Sequence, residues 1–429
     1  MKATTTFVST RGRAAPVSLR DAIVAGLAPD GGLYVPAAID VLPAEPLRHL
    51  RDQTLAETAV AIGPALFGTD IPAAALAVLL RDALTFDAPL VPVMADVWAL
   101  ELFHGPTMAF KDVGARVMAR LMAFFHAAND PLTILVATSG DTGGAVAHAF
   151  HGVDGTRVVV LYPAGQVSAV QEAQFTTLGG NVTAVAVEGS FDDCQRLTKE
   201  AFGSPRLRAR VRLTSANSIN IGRLLPQAIY YLHAAVQLSA SRPLLMSVPS
   251  GNFGNLTAGV IARRMGAPIA RFVAATTIND TGPRYLETGR VEPKPSRPTL
   301  ANAMDVGDPS NLERIRWFFG NRLDELRRVT VGSVHSDDDV RASIGALDEE
   351  AGYLCDPHTA IAFCGLQAVR HGEQGVFVAT AHPAKFREVV EPAVGRAIRL
   401  PAPLAAALQR PRHIERIGPS LAELEALLG

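Results

Sequence analysis

Short β-branched runs, each leading into a Gly/Ser/Thr-rich loop and then a helical pattern, recur between about residues 96 and 380. Leu132–Ala137, Val158–Tyr162, Val182–Val187, Leu244–Val248, Ile269–Thr276 and Val376–Thr380 read as strands. Gly143–Phe150 and Val167–Leu178 read as helices. Near-continuous apolar strands alternating with helices imply parallel sheets covered on both faces, the α/β class. Ligands of such sheets bind beyond the carboxyl ends of the strands. The first ninety or so residues differ, being Ala- and Leu-rich and helical or mixed, with turns at Pro29–Gly32 and near Gly68. The expected division is an N-terminal unit at 1–95 and two parallel-rich sheet domains at 96–240 and 241–429. Val291–Pro298 reads as a Pro-rich surface connection.

Composition narrows the class. At 429 residues, 48% hydrophobic and 19% charged, the chain is long and apolar enough for a sizeable core in two or three domains. A net charge of −1 argues against nucleic acid or an acidic membrane as partner. No apolar run reaches the length of a membrane span; the stretch Ile71–Leu80 stops at Arg81 and Asp82. The N-terminal segment lacks the apolar centre of a signal peptide. Cys194, Cys355 and Cys364 have no metal-ligand spacing, so no metal site and a reducing cytoplasm are expected.

The chemistry should lie in the strand-end loops. After Ala137, the run Thr138-Ser139-Gly140-Asp141-Thr142 offers hydroxyls and backbone N–H groups at a helix start, suited to a carboxylate or phosphate. The competing view is a capped helix with Ser139 or Asp141 as N-cap. After Val248, Ser250-Gly251-Asn252-Phe253-Gly254-Asn255 fits a phosphate cradle, yet it has neither a GK[ST] ending nor a third glycine at the dinucleotide offset. After Ala379, the hydroxyl of Thr380 could face the same crevice, while His382 suits a hydrogen-bonded structural role. In Ser215–Arg223, Asn217, Ser218 and Arg223 could grip an anion, or form a capped helix entry with a surface arginine.

Lysine is scarce: only Lys2, Lys111, Lys199, Lys294 and Lys385 occur among forty basic residues. Lys111 follows Phe103, Met108 and Phe110 and opens a helical pattern over Val113–Phe125. Desolvation and the positive end of a helix dipole both favour a neutral amine there, the form that makes a Schiff base. A plain surface pair of Lys111 with Asp112 is the alternative.

Taken together, the segments closely resemble the threonine synthases, in their bacterial and fungal branch. The resemblance runs from Ser9–Gly12 and Gly26–Pro36 through HGPTMAFKD (104–112), TSGDTGGAVAHAF (138–150), LGGNV (178–182), SANSINIGR (215–223), SVPSGNFGNLTAG (247–259), AATTINDT (274–281), ANAMDVGDPSN (301–311) and DPHTAIA (356–362) to TAHPAKF (380–386). Each motif alone is weak; their order over nearly the whole chain is specific. The resemblance implies the fold type II of pyridoxal-phosphate enzymes, with Lys111 carrying pyridoxal 5'-phosphate as a Schiff base. It implies that Gly251, Asn252, Phe253, Gly254 and Asn255 hold the cofactor phosphate and that Thr380 hydrogen-bonds the pyridine nitrogen. Ser139, Asp141 and Thr142 would receive the substrate carboxylate and the ring face. The family often has Asn where Asp141 stands, which leaves the hydrogen bond of Asp141 open. Asn217, Ser218 and Arg223 look like the grip on a substrate phosphate.

The reaction this implies converts O-phospho-L-homoserine and water to L-threonine and phosphate, the last step of threonine biosynthesis, in a cytoplasmic monomer or homodimer. Two rivals share the fold: a phospho-lyase giving 2-oxobutyrate, and a non-catalytic small-molecule sensor. The missing third glycine disfavours an NAD-dependent oxidoreductase.

Overall fold

The computed structural model describes residues 6–126, 131–238 and 241–429, so Lys2 lies outside the described residues. Among these, the strands are β1 (Phe7–Ser9), β2 (Tyr34–Pro36), β3 (Leu90–Met94), β4 (Val97–Glu101), β5 (Leu132–Ala137), β6 (Thr156–Pro163), β7 (Val182–Val187), β8 (Arg212–Ser215), β9 (Leu244–Pro249), β10 (Arg271–Thr276), β11 (Thr330–Val334), β12 (Gln374–Ala379) and β13 (Ile414–Ile417). One sheet has the order β11-β10-β9-β12-β4-β3 and is parallel except for the β3–β4 pair. The other, β13-β7-β6-β5-β8, is parallel throughout. The central strands β5, β9 and β12 are buried along their whole length. That double-sided burial is why their sequences are mostly apolar, with only Thr133, Ser247 and Gln374 as polar exceptions, rather than alternating.

The two sheets interleave the stretches expected to lie on either side of residue 240. Strand β4 pairs in parallel with β12, Val97 opposite Gly375 and Glu101 opposite Ala379. At the other end of the chain β13 pairs with β7, and the helix Leu421–Leu428 packs Leu424 and Leu428 against Leu197 and Ala201. Arg157 clamps this return by donating to the carbonyls of Leu427 and Leu428 at 3.0 and 3.2 Å.

The N-terminal unit pairs β1 with β2 and adds the helices Leu55–Phe67 and Ala73–Ala83. Thr54 and Glu57 form a reciprocal capping box at the first helix. In the turn at Pro29–Gly32, the Asp30 carboxylate accepts from Ser9 and from the backbone N–H groups of Gly32, Arg13 and Ala14. Val291–Pro298 is an exposed connection without helix or strand, apart from a half-buried Ser296.

Candidate active site

The loops after β5, β8, β9 and β12 converge on one cavity of about 200 Å3. All thirteen singled-out residues line it: Lys111, Ser139, Asp141, Thr142, Asn217, Ser218, Arg223, the run Gly251–Asn255, and Thr380.

Lys111 is placed by a chain of backbone pairings at the end of β12. Leu102 N–H donates to Ala379 O at 2.9 Å, Phe110 N–H to Thr380 O at 2.8 Å, and His382 N–H to Met108 O at 3.1 Å. Thr380 thereby leaves the strand one residue earlier than expected. Its carbonyl serves the residue before the lysine instead of a strand neighbour. Asp112 does not pair with Lys111. Its buried carboxylate accepts from Thr107 N–H at 2.9 Å and Thr107 Oγ1 at 2.6 Å, closing the turn that starts the helix Lys111–Phe125. Gly105 is required there, because a Cβ would lie 2.5 Å from Asp112 Oδ2.

The Lys111 side chain is 14% exposed, with its ammonium 3.6 Å from Asp141 Oδ2 and 4.5 Å from the Phe110 ring centroid. Burial pushes its pKa down; Asp141 opposes this, while the charges of Lys385 and Arg223 add to the depression. Asp141 also meets Lys385 Nζ at 2.6 Å and Gln171 Nε2 at 2.8 Å, both on Oδ1. Burial alone would raise its pKa, yet Lys385 and then Lys111 hold the carboxyl well below the usual range.

The loop after β5 corrects the expected cap. The helix Asp141–Phe150 begins at Asp141, and neither Ser139 nor Asp141 caps it. Thr138 Oγ1 does so, accepting from Gly140 N–H at 2.9 Å and Gly143 N–H at 2.8 Å. Asp141 is thus left for the lysines, while Ser139 and Thr142 stand at the cavity wall.

The loop after β9 enters the helix Gly254–Arg264 through Phe253 at φ 60°, a left-handed residue. A Cβ on Gly251 would come within 2.6 Å of Met304 Cα, so only glycine permits the 301–311 segment to lie against this loop. Asn252 bridges Ser218 Oγ at 2.9 Å and the Ser310 N–H at 2.6 Å. Asn255 Oδ1 accepts from Tyr230 and Tyr231 hydroxyls at 2.6 and 2.8 Å, which fixes the amide with Nδ2 turned to the other side. That Nδ2 is buried without a protein partner, and it lines the cavity beside a helix N-terminus. An uncompensated buried donor of this kind suits a bound anion. The chemistry of the set fits a phosphate.

In the Ser215–Arg223 segment, Asn220 is the helix cap, accepting from Gly222 N–H at 2.9 Å. Arg223 is no surface arginine: it is 3% exposed, and burial brings its pKa down to about 10. It donates Nη1 to Ala216 O at 2.6 Å and keeps a buried Nε without a partner. Asn217 ties the loop to β5 by donating to Ala137 O at 2.8 Å, and Ser218 Oγ accepts from Asn252 and Asn311.

Some residues at the site escaped the sequence reading. His358 lines the cavity, with Nδ1 2.6 Å from Asp356 Oδ2 and Nε2 accepting the Ala303 N–H at 3.2 Å. Thr359 Oγ1 donates to Asp356 and accepts the Thr380 N–H at 3.2 Å. The DPHTAIA segment carried that signal as a motif without assigned roles. Lys199 is exposed and borders the cavity. His382 caps the turn Pro383–Phe386 and packs on Phe103, outside the cavity lining.

Comparison with known proteins shows the family. Residues 86–380 match the family described as pyridoxal-phosphate dependent enzyme. Residues 6–84 match the threonine synthase N terminus and 359–428 the threonine synthase C-terminal family. The threonine synthase of Serratia marcescens is 45% identical over 415 residues, covering 96% of both chains. The crystal structure of threonine synthase from Escherichia coli superposes with a TM-score of 0.93 at 41% identity, covering 99% of each chain. The PLP-bound threonine synthase from Brucella melitensis gives 0.94 at 38% identity, covering 99% of this chain and 98% of that one. The chain belongs to the threonine synthase family of pyridoxal-phosphate-dependent enzymes.

Proposed function

We propose that this chain converts O-phospho-L-homoserine and water to L-threonine and inorganic phosphate, with Lys111 as its catalytic residue. The observation that carries this reading is a half-buried amine beside a buried carboxylate, in a cavity that also holds two unpartnered donors, Asn255 Nδ2 and Arg223 Nε. One donor belongs to the cofactor side and the other to the substrate side.

The cofactor of the family is pyridoxal 5'-phosphate, whose ring, when bound, draws electron density from the carbon next to the substrate amine. Gly251–Asn255 would hold its phosphate through backbone N–H groups, Asn255 Nδ2 and the helix N-terminus. Thr380 Oγ1 would face the pyridine nitrogen, and a hydroxyl leaves that nitrogen unprotonated. Lys111 Nζ would hold the cofactor and, as a free amine, would take the substrate's α proton and then a β proton. The same amine would return a proton to the γ carbon after phosphate has left; water then adds its oxygen at the β carbon and a proton returns to the α carbon, giving threonine. Arg223, with Asn217 and Ser218, would hold the departing phosphate. Ser139 and Thr142 would hold the substrate carboxylate, with Asp141 at the ring face. A single mobile amine serving successive carbons lets the chemistry proceed with few acid–base groups.

The test is incubation of the holoenzyme with O-phospho-L-homoserine, with phosphate, threonine and 2-oxobutyrate measured together. Equal threonine and phosphate are expected. Phosphate with 2-oxobutyrate and no threonine would make the chain a phospho-lyase; no phosphate release would make it a sensor.

Arg223→Ala should raise KM for the phosphorylated substrate about 10- to 100-fold, the range for a lost charge-assisted hydrogen bond. Cofactor affinity should change far less, and an equal loss in both would remove Arg223 from the substrate side.

A further inference from the structure

Lys385 is the most completely buried lysine described, at 0% exposure, yet it does not line the cavity. Its ammonium has two fixed partners, Asp141 Oδ1 at 2.6 Å and Thr107 O at 2.8 Å. Burying an ammonium this far costs several kcal/mol unless a close anion compensates, and Asp141 is that anion. The same carboxylate has its other oxygen 3.6 Å from Lys111 Nζ. Asp141 therefore lies between two lysines but makes its short contact with only one. From the geometry we propose that Lys385 is a positioning residue, which occupies Asp141 and so leaves Lys111 as a neutral amine ready for the cofactor aldehyde.

Around Lys111 the charged groups are Asp141, Lys385 and Arg223. Lys385 also faces Asp112, His148 and His382. Burial pushes both histidines down, His148 to about 4, and so favours their neutral forms. Asp112, committed to Thr107, is common to every variant below. With Lys385 in place, its charge offsets part of that of Asp141 at Lys111, and burial is the largest influence on the state of Lys111. Without Lys385, an uncompensated buried carboxylate faces Lys111 and holds it as an ammonium. An opposite charge at such a distance moves a pKa by about 1–3 units. A protonated Lys111 cannot attack; the neutral amine can, adding to the aldehyde carbon with loss of one water.

This proposal rests on the assignment of Lys111 as the cofactor lysine, and the test separates the two. Full-length protein is freed of cofactor with hydroxylamine and mixed with pyridoxal phosphate over a pH series. The capture rate is followed by absorbance, and the adduct is reduced with borohydride and mapped by mass spectrometry. The pH midpoint of capture should rise by about one unit or more in Lys385→Met. It should fall in Asp141→Asn and return close to the parent value in the double variant Asp141→Asn/Lys385→Met. A merely structural lysine would leave the midpoint in place or move it alike in all three. Either result would overturn the proposal. Should Lys385→Met alone fail to fold, Asp141→Asn and the double variant, which buries no unpaired charge, carry the comparison. A label mapped to Lys385 would overturn the assignment of Lys111. A label on Lys111 with an unmoved midpoint would overturn only the role of Lys385.

Discussion

Lys111→Ala is expected to lower turnover by at least about 10^4-fold, the upper end of what one positioned acid–base group contributes. That corresponds to about 5.5 kcal/mol at about 1.4 kcal/mol per decade. The loss should fall on kcat and kcat/KM together, because a base acting on successive carbons works in the transition states and not in substrate binding. The variant should nevertheless fold. Lys111 has one long ion pair, and after its removal Asp141 still has Lys385 at 2.6 Å and Gln171 at 2.8 Å. Borohydride should no longer fix cofactor to the protein, although the Gly251–Asn255 cradle stays intact. Lys111→Arg should not rescue either readout, since a guanidinium does not condense with an aldehyde and stays protonated. Residual turnover within about tenfold of the parent would remove Lys111 from the chemistry.

The features legible in the sequence are those that local chemistry determines. Strands β5 and β7 have the bounds read from their β-branched runs, because each is apolar but for one β-branched threonine, Thr133 and Thr183, and is buried along most of its length. The strand-end loops could be found because glycine at a close approach, as at Gly251, has no substitute. Thr138 as cap was missed because Ser139 and Asp141, equally good in composition, stand nearer the helix start. The pairing of Asp141 with Lys385 joins residues 244 positions apart in the sequence, and no periodicity or propensity reports such a contact. Strand β13 was illegible for a different reason: Ile414-Glu415-Arg416-Ile417 is a short edge strand with charged residues, defined only by its neighbour β7. The family resemblance supplied the order of the motifs and the expected roles, but left the function of Lys385 blank.

Arg314 is the residue whose importance the sequence hid most fully, and its loss should carry the largest penalty in stability. In the helix Leu312–Phe318 the run Glu313-Arg314-Ile315-Arg316 reads as an ordinary charged face. Arg314 is instead 0% exposed. Its guanidinium donates to Tyr34 O at 3.0 Å, Ser218 O at 2.8 Å, Ile219 O at 2.6 Å and Asn311 Oδ1 at 2.7 Å. One side chain thus joins β2 of the N-terminal unit, the loop bearing the substrate-side residues and the segment lying on the glycine loop. Arg314→Met keeps much of the aliphatic volume and removes all four donations. One buried carbonyl (Tyr34) and two part-buried ones (Ser218 and Ile219) then lose a charged donor, and the expected destabilisation is about 3 kcal/mol, read as a lower denaturant midpoint. Because Ser218 and Ile219 also line the cavity, KM for the phosphorylated substrate should rise while cofactor remains bound to Lys111. The two effects share one cause, so the order in which they disappear is informative. Loss of stability without a change in KM would mean that Asn252 and Asn311 hold Ser218 in place on their own. A midpoint within about 1 kcal/mol of the parent would mean that water reaches the freed carbonyls, and that the N-terminal unit is not pinned to the site through this arginine.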